Sequence, residues 1–227
     1  MKTIGLLGGT GWSSTINYYK ILNQLVGERL GGYHSAKIIL KSIDYHEIMS
    51  NYGKDHTKIA ELLKKELSEL IALKPDCMMI CCNSLHKYYD IIKNDLDVKI
   101  PLMHAIDLVA QYSNESGYKK ALLLATKFTM EDGFFADKIA KTGINVVIPE
   151  TKERNEMQKI HTELMQNIVT EKSKNYFRDL IKAYDNLDVV ILGCTEYPMV
   201  VDKSNSALPI IDPVKIQAKY AVDFVTK

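Results

Sequence analysis

"DCMMICCNSLHK", residues 76–87, begins with a short apolar run and turns abruptly into small polar residues that lead into a helical pattern. The apolar part, Cys77–Cys81, has no alternating polar positions, so it reads as a strand buried on both faces. The same grammar recurs. "IGLLGGTGWSST" (4–15), "ALLLATKFTMED" (121–132) and "VVILGCTEYP" (189–198) each close an apolar run with small polar residues. Further strands are expected at Ala36–Ile43, Pro101–His104, Asn145–Ile148 and Leu208–Ile211, with the first group read as Thr3–Leu7, Ala121–Ala125 and Val189–Leu192.

Amphipathic helices fall between them. Over Lys58–Leu73, the residues Ile59, Leu62, Leu63, Leu67, Leu70 and Ile71 form one stripe. Asn155–Thr170 carries Met157, Ile160, Leu164, Met165 and Ile168 in phase, and Lys174–Tyr184 carries Tyr176, Phe177, Leu180, Ile181 and Tyr184. Wholly apolar strands alternating with helices predict an α/β fold with parallel sheets covered on both faces. The echo between halves, Leu7 with Leu124 and Cys82 with Cys194, predicts two similar α/β domains facing each other. One continuous doubly wound sheet is the alternative.

Composition narrows the function. The chain has 227 residues, 46% hydrophobic and 25% charged, with 29 basic against 28 acidic side chains and a formal net charge of +1. That balance, without like-charge blocks, argues against nucleic acid as the partner. No apolar run approaches the roughly 18 residues of a membrane span. Glycines at 5, 8, 9 and 11 interrupt the apolar start too early for an export signal. A reducing cytoplasmic setting, with all four cysteines as thiols, is the expectation.

Ligands of open α/β sheets bind beyond the carboxyl ends of the strands. Four such ends are polar here: Gly8-Gly9-Thr10-Gly11, Cys82-Asn83-Ser84, Thr126 with Thr129, and Gly193-Cys194-Thr195-Glu196. Backbone N–H groups there favour an anion such as a carboxylate or phosphate. The glycine loop spells neither G-x-G-x-x-G nor a P-loop, so it serves either as a tight turn or as an anion contact.

Cys82 and Cys194 hold matched places before expected helices, with Asn83 or Ser84 capping one and Thr195 the other. A thiol at a helix N-terminus is activated by the positive helix end. Cys77 and Cys81 lie within the strand and read as packing. Cys77, Cys81, Cys82 and His86 lack metal-ligand spacing, so no metal site is expected. A bridge between adjacent Cys81 and Cys82 is strained; thiol exchange between Cys82 and Cys194 stays open. His86, one turn into its helix, either leans toward the site or caps and packs.

These residues carry a resemblance. "IGLLGGTGWSSTINYY", "CNSLH" and "GCTEYP" match, in order and spacing, three signatures of the cofactor-independent aspartate/glutamate racemases, and the likeness covers essentially the whole chain. "GCTE" resembles the aspartate and broad-specificity branch, because glutamate racemases of cell-wall synthesis typically have histidine where Glu196 stands. The resemblance implies domains of 1–100 with 208–227 and of 101–207, related by pseudo-two-fold symmetry with the active site between them. It implies a homodimer acting on an amino acid without cofactor, pyridoxal phosphate, metal or nucleotide. Cys82 and Cys194 carry over as the acid/base pair. Asn83, Ser84 and Thr195 carry over as contacts to the substrate's α-carboxylate or amine, with Thr10 and Thr126 beside them. For the distal carboxylate His46 is a candidate, as are nearby lysines, while Arg29, Arg154 and Arg178 find no match. Alternatives are a hydantoin racemase, a maleate isomerase or a malonate decarboxylase of the same superfamily, a carboxylate-binding protein without turnover, and a thiol redox protein.

Overall fold

The computed structural model describes residues 1–96 and 99–227. The chain divides into two compact units, Met1–Ala105 with Gln217–Lys227, and Ile106–Ile216. Two separate parallel sheets replace the alternative of one continuous sheet.

In the first unit, β1 (Ile4–Gly8) lies between β2 (Ile38–Ser42) and β3 (Cys77–Ile80). Register runs Ile4 beside Ile38 and Ile4 beside Cys77. Every residue of β1 and β3 is buried, whereas β2 is partly exposed. Those two apolar runs are therefore covered on both faces, while Lys41 and Ser42 suit an edge. Helices α1 (Trp12–Leu30), α2 (His46–Asn51), α3 (His56–Ala72) and α4 (Leu85–Ile92) follow the strands. The Asp55 side chain starts α3 by accepting from the Lys58 backbone N–H at 2.9 Å. Ile59, Leu63, Leu67 and Leu70 of its stripe are fully buried, and Leu62 and Ile71 pack against them half-buried.

The strand expected at Pro101–His104 reduces to one parallel bridge, Leu102 with Met78. Met78 N–H donates to the Pro101 carbonyl at 2.9 Å, and Met103 N–H returns to the Met78 carbonyl at 2.8 Å. Proline has no N–H to extend the ladder.

In the second unit, β4 (Lys120–Leu124), β5 (Asn145–Val147), β6 (Val189–Leu192) and β7 (Ile210–Ile211) form a sheet in the order β5-β4-β6-β7. Its earliest strand, β4, lies between the next two, as β1 lies between β2 and β3, which is the structural form of the sequence echo. Around it lie α5 (Ala105–Glu115), α6 (Lys127–Asp132), α7 (Phe134–Ala140), α8 (Thr151–Leu164) and α9 (Glu171–Ala183).

Helix α8 starts and ends earlier than its apolar period predicts. Glu150 and Glu153 form a capping box at its start. At its end Asn167 takes a left-handed φ of 59°, so Met165 and Ile168, expected on the buried stripe, are exposed.

The closing helix α10 (Pro213–Val225) contributes Gln217 onward to the first unit. Tyr18 hydroxyl donates to Gln217 Oε1 at 2.8 Å, Gln217 Nε2 donates to the Met103 carbonyl, and Lys2 N–H donates to the Val225 carbonyl at 3.0 Å. The return expected from residue 208 thus comes later, because Ile210 and Ile211 pair with Val190 and Ile191 of β6.

Candidate active site

Each unit gathers its polar groups where its central strands end. At the end of β1, Gly9 turns the chain with φ 86°, and its N–H donates to Thr15 Oγ1 at 2.9 Å. Thr10 then donates its hydroxyl to the Cys81 carbonyl at 3.1 Å, tying the first loop to the end of β3. Cys81 and Cys77 are buried in the sheet. Burial pushes the Cys77 thiol up to about 12 and the Cys81 thiol well above its ordinary value. Both therefore remain packed thiols.

Cys82 is half-buried and has hydroxyl neighbours. Its Sγ lies 3.2 Å from Ser84 Oγ and 3.6 Å from the Tyr45 hydroxyl. Tyr52 hydroxyl is 2.9 Å from Ser84 Oγ, and Tyr45 hydroxyl donates to that of Tyr52 at 3.0 Å. Ser84 takes the N-cap position of α4 without a side-chain cap bond, because its hydroxyl is directed to Cys82 and Tyr52. The capping role expected for it is thus replaced. Burial, and next the charge of Cys82, pushes Tyr45 and Tyr52 up, so both keep their hydroxyl hydrogens.

Asn83 is buried beside them, and His86 is fully buried. His86 Nδ1 meets the Cys82 carbonyl at 3.0 Å, and its ring lies edge-on to His104 with centroids 4.6 Å apart. The packing alternative for His86 prevails. Its Nε2 has no hydrogen-bond partner among the described residues. Burial, and secondarily the His104 charge, drives its pKa down to about 3. The unfolded chain protonates this imidazole first, so stability is lost as pH falls below the ordinary histidine value toward 3. The loss reaches roughly 2 kcal/mol at pH 5. Denaturant midpoints at pH 7.5 and 5 should therefore differ less for His86→Gln than for the natural chain. Equal differences would refute this assignment.

In the second unit, β6 leads through Gly193 into buried Cys194. Gly193 N–H donates to the Leu124 carbonyl at 2.7 Å. Cys194 Sγ donates to Glu196 Oε2 at 3.0 Å, and Thr195 Oγ1 donates to the same oxygen at 2.8 Å. Thr195 caps no α-helix, since the chain passes directly into the single 3₁₀ turn Tyr197–Met199. One such turn supplies little of the helix-end field expected at this cysteine. The neighbour that orients Cys194 is instead a carboxylate.

His161 Nε2, from α8, lies 3.9 Å from Glu196 Oε2. Desolvation lowers the His161 pKa against the opposing pull of Glu196. Ligand atoms of His161, Cys194 and Glu196 fall within 4.8 Å of one another, making them the group among the described residues that could gather around a cation. Thr126 caps α6 by accepting from Thr129 N–H at 3.3 Å, and its hydroxyl donates to Thr129 Oγ1 at 3.0 Å.

The structure therefore brings Thr10, Asn83 and Ser84 to the strand ends around Cys82, and Thr195 to Cys194. His46 is exposed on the first turn of α2. Arg29 pairs with Asp223, Arg154 with Glu131, and Arg178 with Asp179, so each arginine is already matched to an acid. Sequence reasoning missed Tyr45, Tyr52 and His161. Tyr45 and Cys82 are 37 positions apart, and no local pattern marks that contact. Glu196 was legible as part of its loop and as a branch marker of the resemblance, but not as the partner of Cys194.

The sequence model of the Asp/Glu/hydantoin racemase family matches residues 7–221. The broad specificity amino-acid racemase RacX of Bacillus subtilis (strain 168) is 24% identical over 241 residues, spanning 96% of both chains. A proposed Asp/Glu racemase from Yersinia pestis is similar in structure, with a TM-score of 0.91, 36% identity and 100% coverage of both chains. An aspartate racemase homologue from Pyrococcus horikoshii superimposes with a TM-score of 0.88, 28% identity and 100% coverage of both.

Proposed function

Because the chain belongs to the Asp/Glu/hydantoin racemase family, we propose that it racemises an acidic amino acid, aspartate first, without a cofactor. Cys82 and Cys194 act as its two bases on opposite faces of the α-carbon. The observation that carries this reading is the thiol at each matched strand end, half-buried among hydroxyls in one unit and bonded to a carboxylate in the other.

Racemisation removes the α-proton from one face and delivers another to the opposite face. One group must begin as thiolate and the other as thiol, with the roles exchanging according to the substrate's handedness. A carboxylate such as Glu196 can only accept, so the hydrogen of its contact lies on Cys194 sulfur. That is the donor form required of the proton-delivering partner. As Cα–H breaks toward the thiolate sulfur, charge builds on the substrate carboxylate. The Asn83 amide and the backbone N–H groups of the strand-end turns supply preorganised donors to that carboxylate, while the hydroxyl oxygens of Ser84 and Thr195, with those of Thr10 and Thr126 beside them, accept from the substrate amine. The reading includes a homodimer working in the cytoplasm, where thiols stay reduced. No helix is long and apolar enough to cross a membrane among the described residues.

Purified protein incubated with L-aspartate in heavy water and a metal chelator should lose the substrate α-proton signal as D-aspartate accumulates. Binding without exchange would overturn the proposal in favour of a carboxylate-binding protein. Exchange confined to 5-substituted hydantoins would move the substrate to that other branch of the family.

A further inference from the structure

We propose that Tyr45, Tyr52 and Ser84 close a hydroxyl ring around Cys82 that satisfies its sulfur both as thiol and as thiolate, Tyr45 being the positioning residue that turns between the two. The proposal rests on the racemase reading for its purpose, and on four contacts for its substance. Cys82 Sγ to Tyr45 hydroxyl is 3.6 Å, Tyr45 to Tyr52 is 3.0 Å, Tyr52 to Ser84 is 2.9 Å, and Ser84 back to Cys82 Sγ is 3.2 Å.

Counting hydrogens shows what the ring does. With Cys82 as thiol, four hydrogens serve four links. Tyr45 donates to Tyr52, Tyr52 to Ser84, Ser84 to the sulfur, and the sulfur to Tyr45. Each group then donates once and accepts once. When Cys82 acts as acid, its proton goes to the substrate α-carbon and three hydrogens remain. Tyr45 then swings its hydroxyl hydrogen from Tyr52 to the sulfur. The thiolate now accepts from Tyr45 and Ser84, and only the link between the two tyrosines opens. When Cys82 acts as base, the incoming proton reverses the turn. One hydroxyl rotates while the heavy atoms stay in place, so little reorganisation accompanies the change of charge.

Packing fixes the rings that carry these hydroxyls. Tyr52 meets Tyr45 edge-on at 6.4 Å between centroids and Tyr88 edge-on at 5.9 Å. Both tyrosines keep their hydrogens at neutral pH, as their upward shifts indicate. The other titratable groups beside Cys82 are His86, His104 and Cys81. His86 faces the Cys82 carbonyl and stays neutral, His104 lies behind it, and Cys81 stays a buried thiol.

The test reads the sulfur directly. The full chain, without substrate, is alkylated by iodoacetamide across pH 5–10, and modification of the Cys82 peptide is followed by mass spectrometry. Tyr45→Phe keeps the ring and removes the hydroxyl. It should move the Cys82 alkylation curve to higher pH and slow alkylation at pH 7 about tenfold, the effect of losing one hydrogen bond to a charged group. Ser84→Ala should move the curve the same way, so the proposal stays testable if Tyr45→Phe folds poorly. Tyr52→Phe should move it less, about threefold, because Tyr52 reaches the sulfur only through its neighbours. Tyr88→Phe, whose hydroxyl meets His56 Nδ1 at 2.7 Å outside the ring, should leave the curve unchanged. Curves for Tyr45→Phe and Ser84→Ala that superimpose on the natural chain's overturn the proposal, as does an equal shift from Tyr88→Phe. If the curves shift but the natural chain exchanges no α-proton in heavy water, the ring stands and the racemase reading fails.

Discussion

Cys82→Ser should reduce racemisation at least about a thousandfold in both directions while leaving the fold intact, the range expected for loss of a general acid/base group. The substitution is nearly isosteric, and a hydroxyl can occupy the same place beside Ser84 and Tyr45. What it removes is ionisation: an alcohol does not supply an anionic base near neutral pH, whereas a thiol does. In a two-base scheme each direction needs both partners, one to take a proton and one to give it. Losing either blocks both directions. Chiral chromatography from pure L- and from pure D-aspartate measures this, with circular dichroism as the check on folding. Activity within tenfold of the natural chain in either direction would eliminate Cys82 as a base.

Gly9→Ala should destabilise the first unit by about 4 kcal/mol, large against the 5–15 kcal/mol that holds a typical domain. The Gly9 φ of 86° is costly for any residue with a Cβ. Here there is also no room: an added Cβ would sit 2.1 Å from the Ile43 carbonyl oxygen and 2.5 Å from its nitrogen. The crowding arises because the segment after β2 is bound against the end of β1, Ile43 N–H donating to the Gly8 carbonyl at 3.0 Å. Gly53→Ala provides the comparison, since Gly53 has a φ of 72° and nothing within 4 Å of an added Cβ. It should cost only the backbone strain, roughly 1–2 kcal/mol. Urea midpoints of the two variants should separate clearly. Equal losses would show that close approach at Gly9 contributes nothing.

Both predictions bear on how far the chain could be read before its fold was described. Strands β1, β3, β4 and β6 were legible because each is an apolar run, β4 after its first residue Lys120, that ends at small polar residues, a pattern that a covered parallel strand requires. The stripe of α3 was legible for the same reason at helical period. Misreadings fell where one local rule overrode another. Apolar phase carried α8 past its true end, where a left-handed Asn167 stops it, and Pro101 prevented an apolar stretch from extending the sheet.

The amino-acid sequence by itself determined the α/β class, the duplicated strand-end loops and the two cysteines that occupy them, because periodicity and spacing are properties of neighbours along the chain. Only the tertiary structure decided what each thiol touches. Tyr45 and Tyr52 reach Cys82 and Ser84 across 37 and 32 positions, and His161 of α8 comes to Glu196 from another element. Side-chain partners at such separations are chosen by how helices pack on a sheet, a choice made by burial of the whole apolar surface and written in no local pattern.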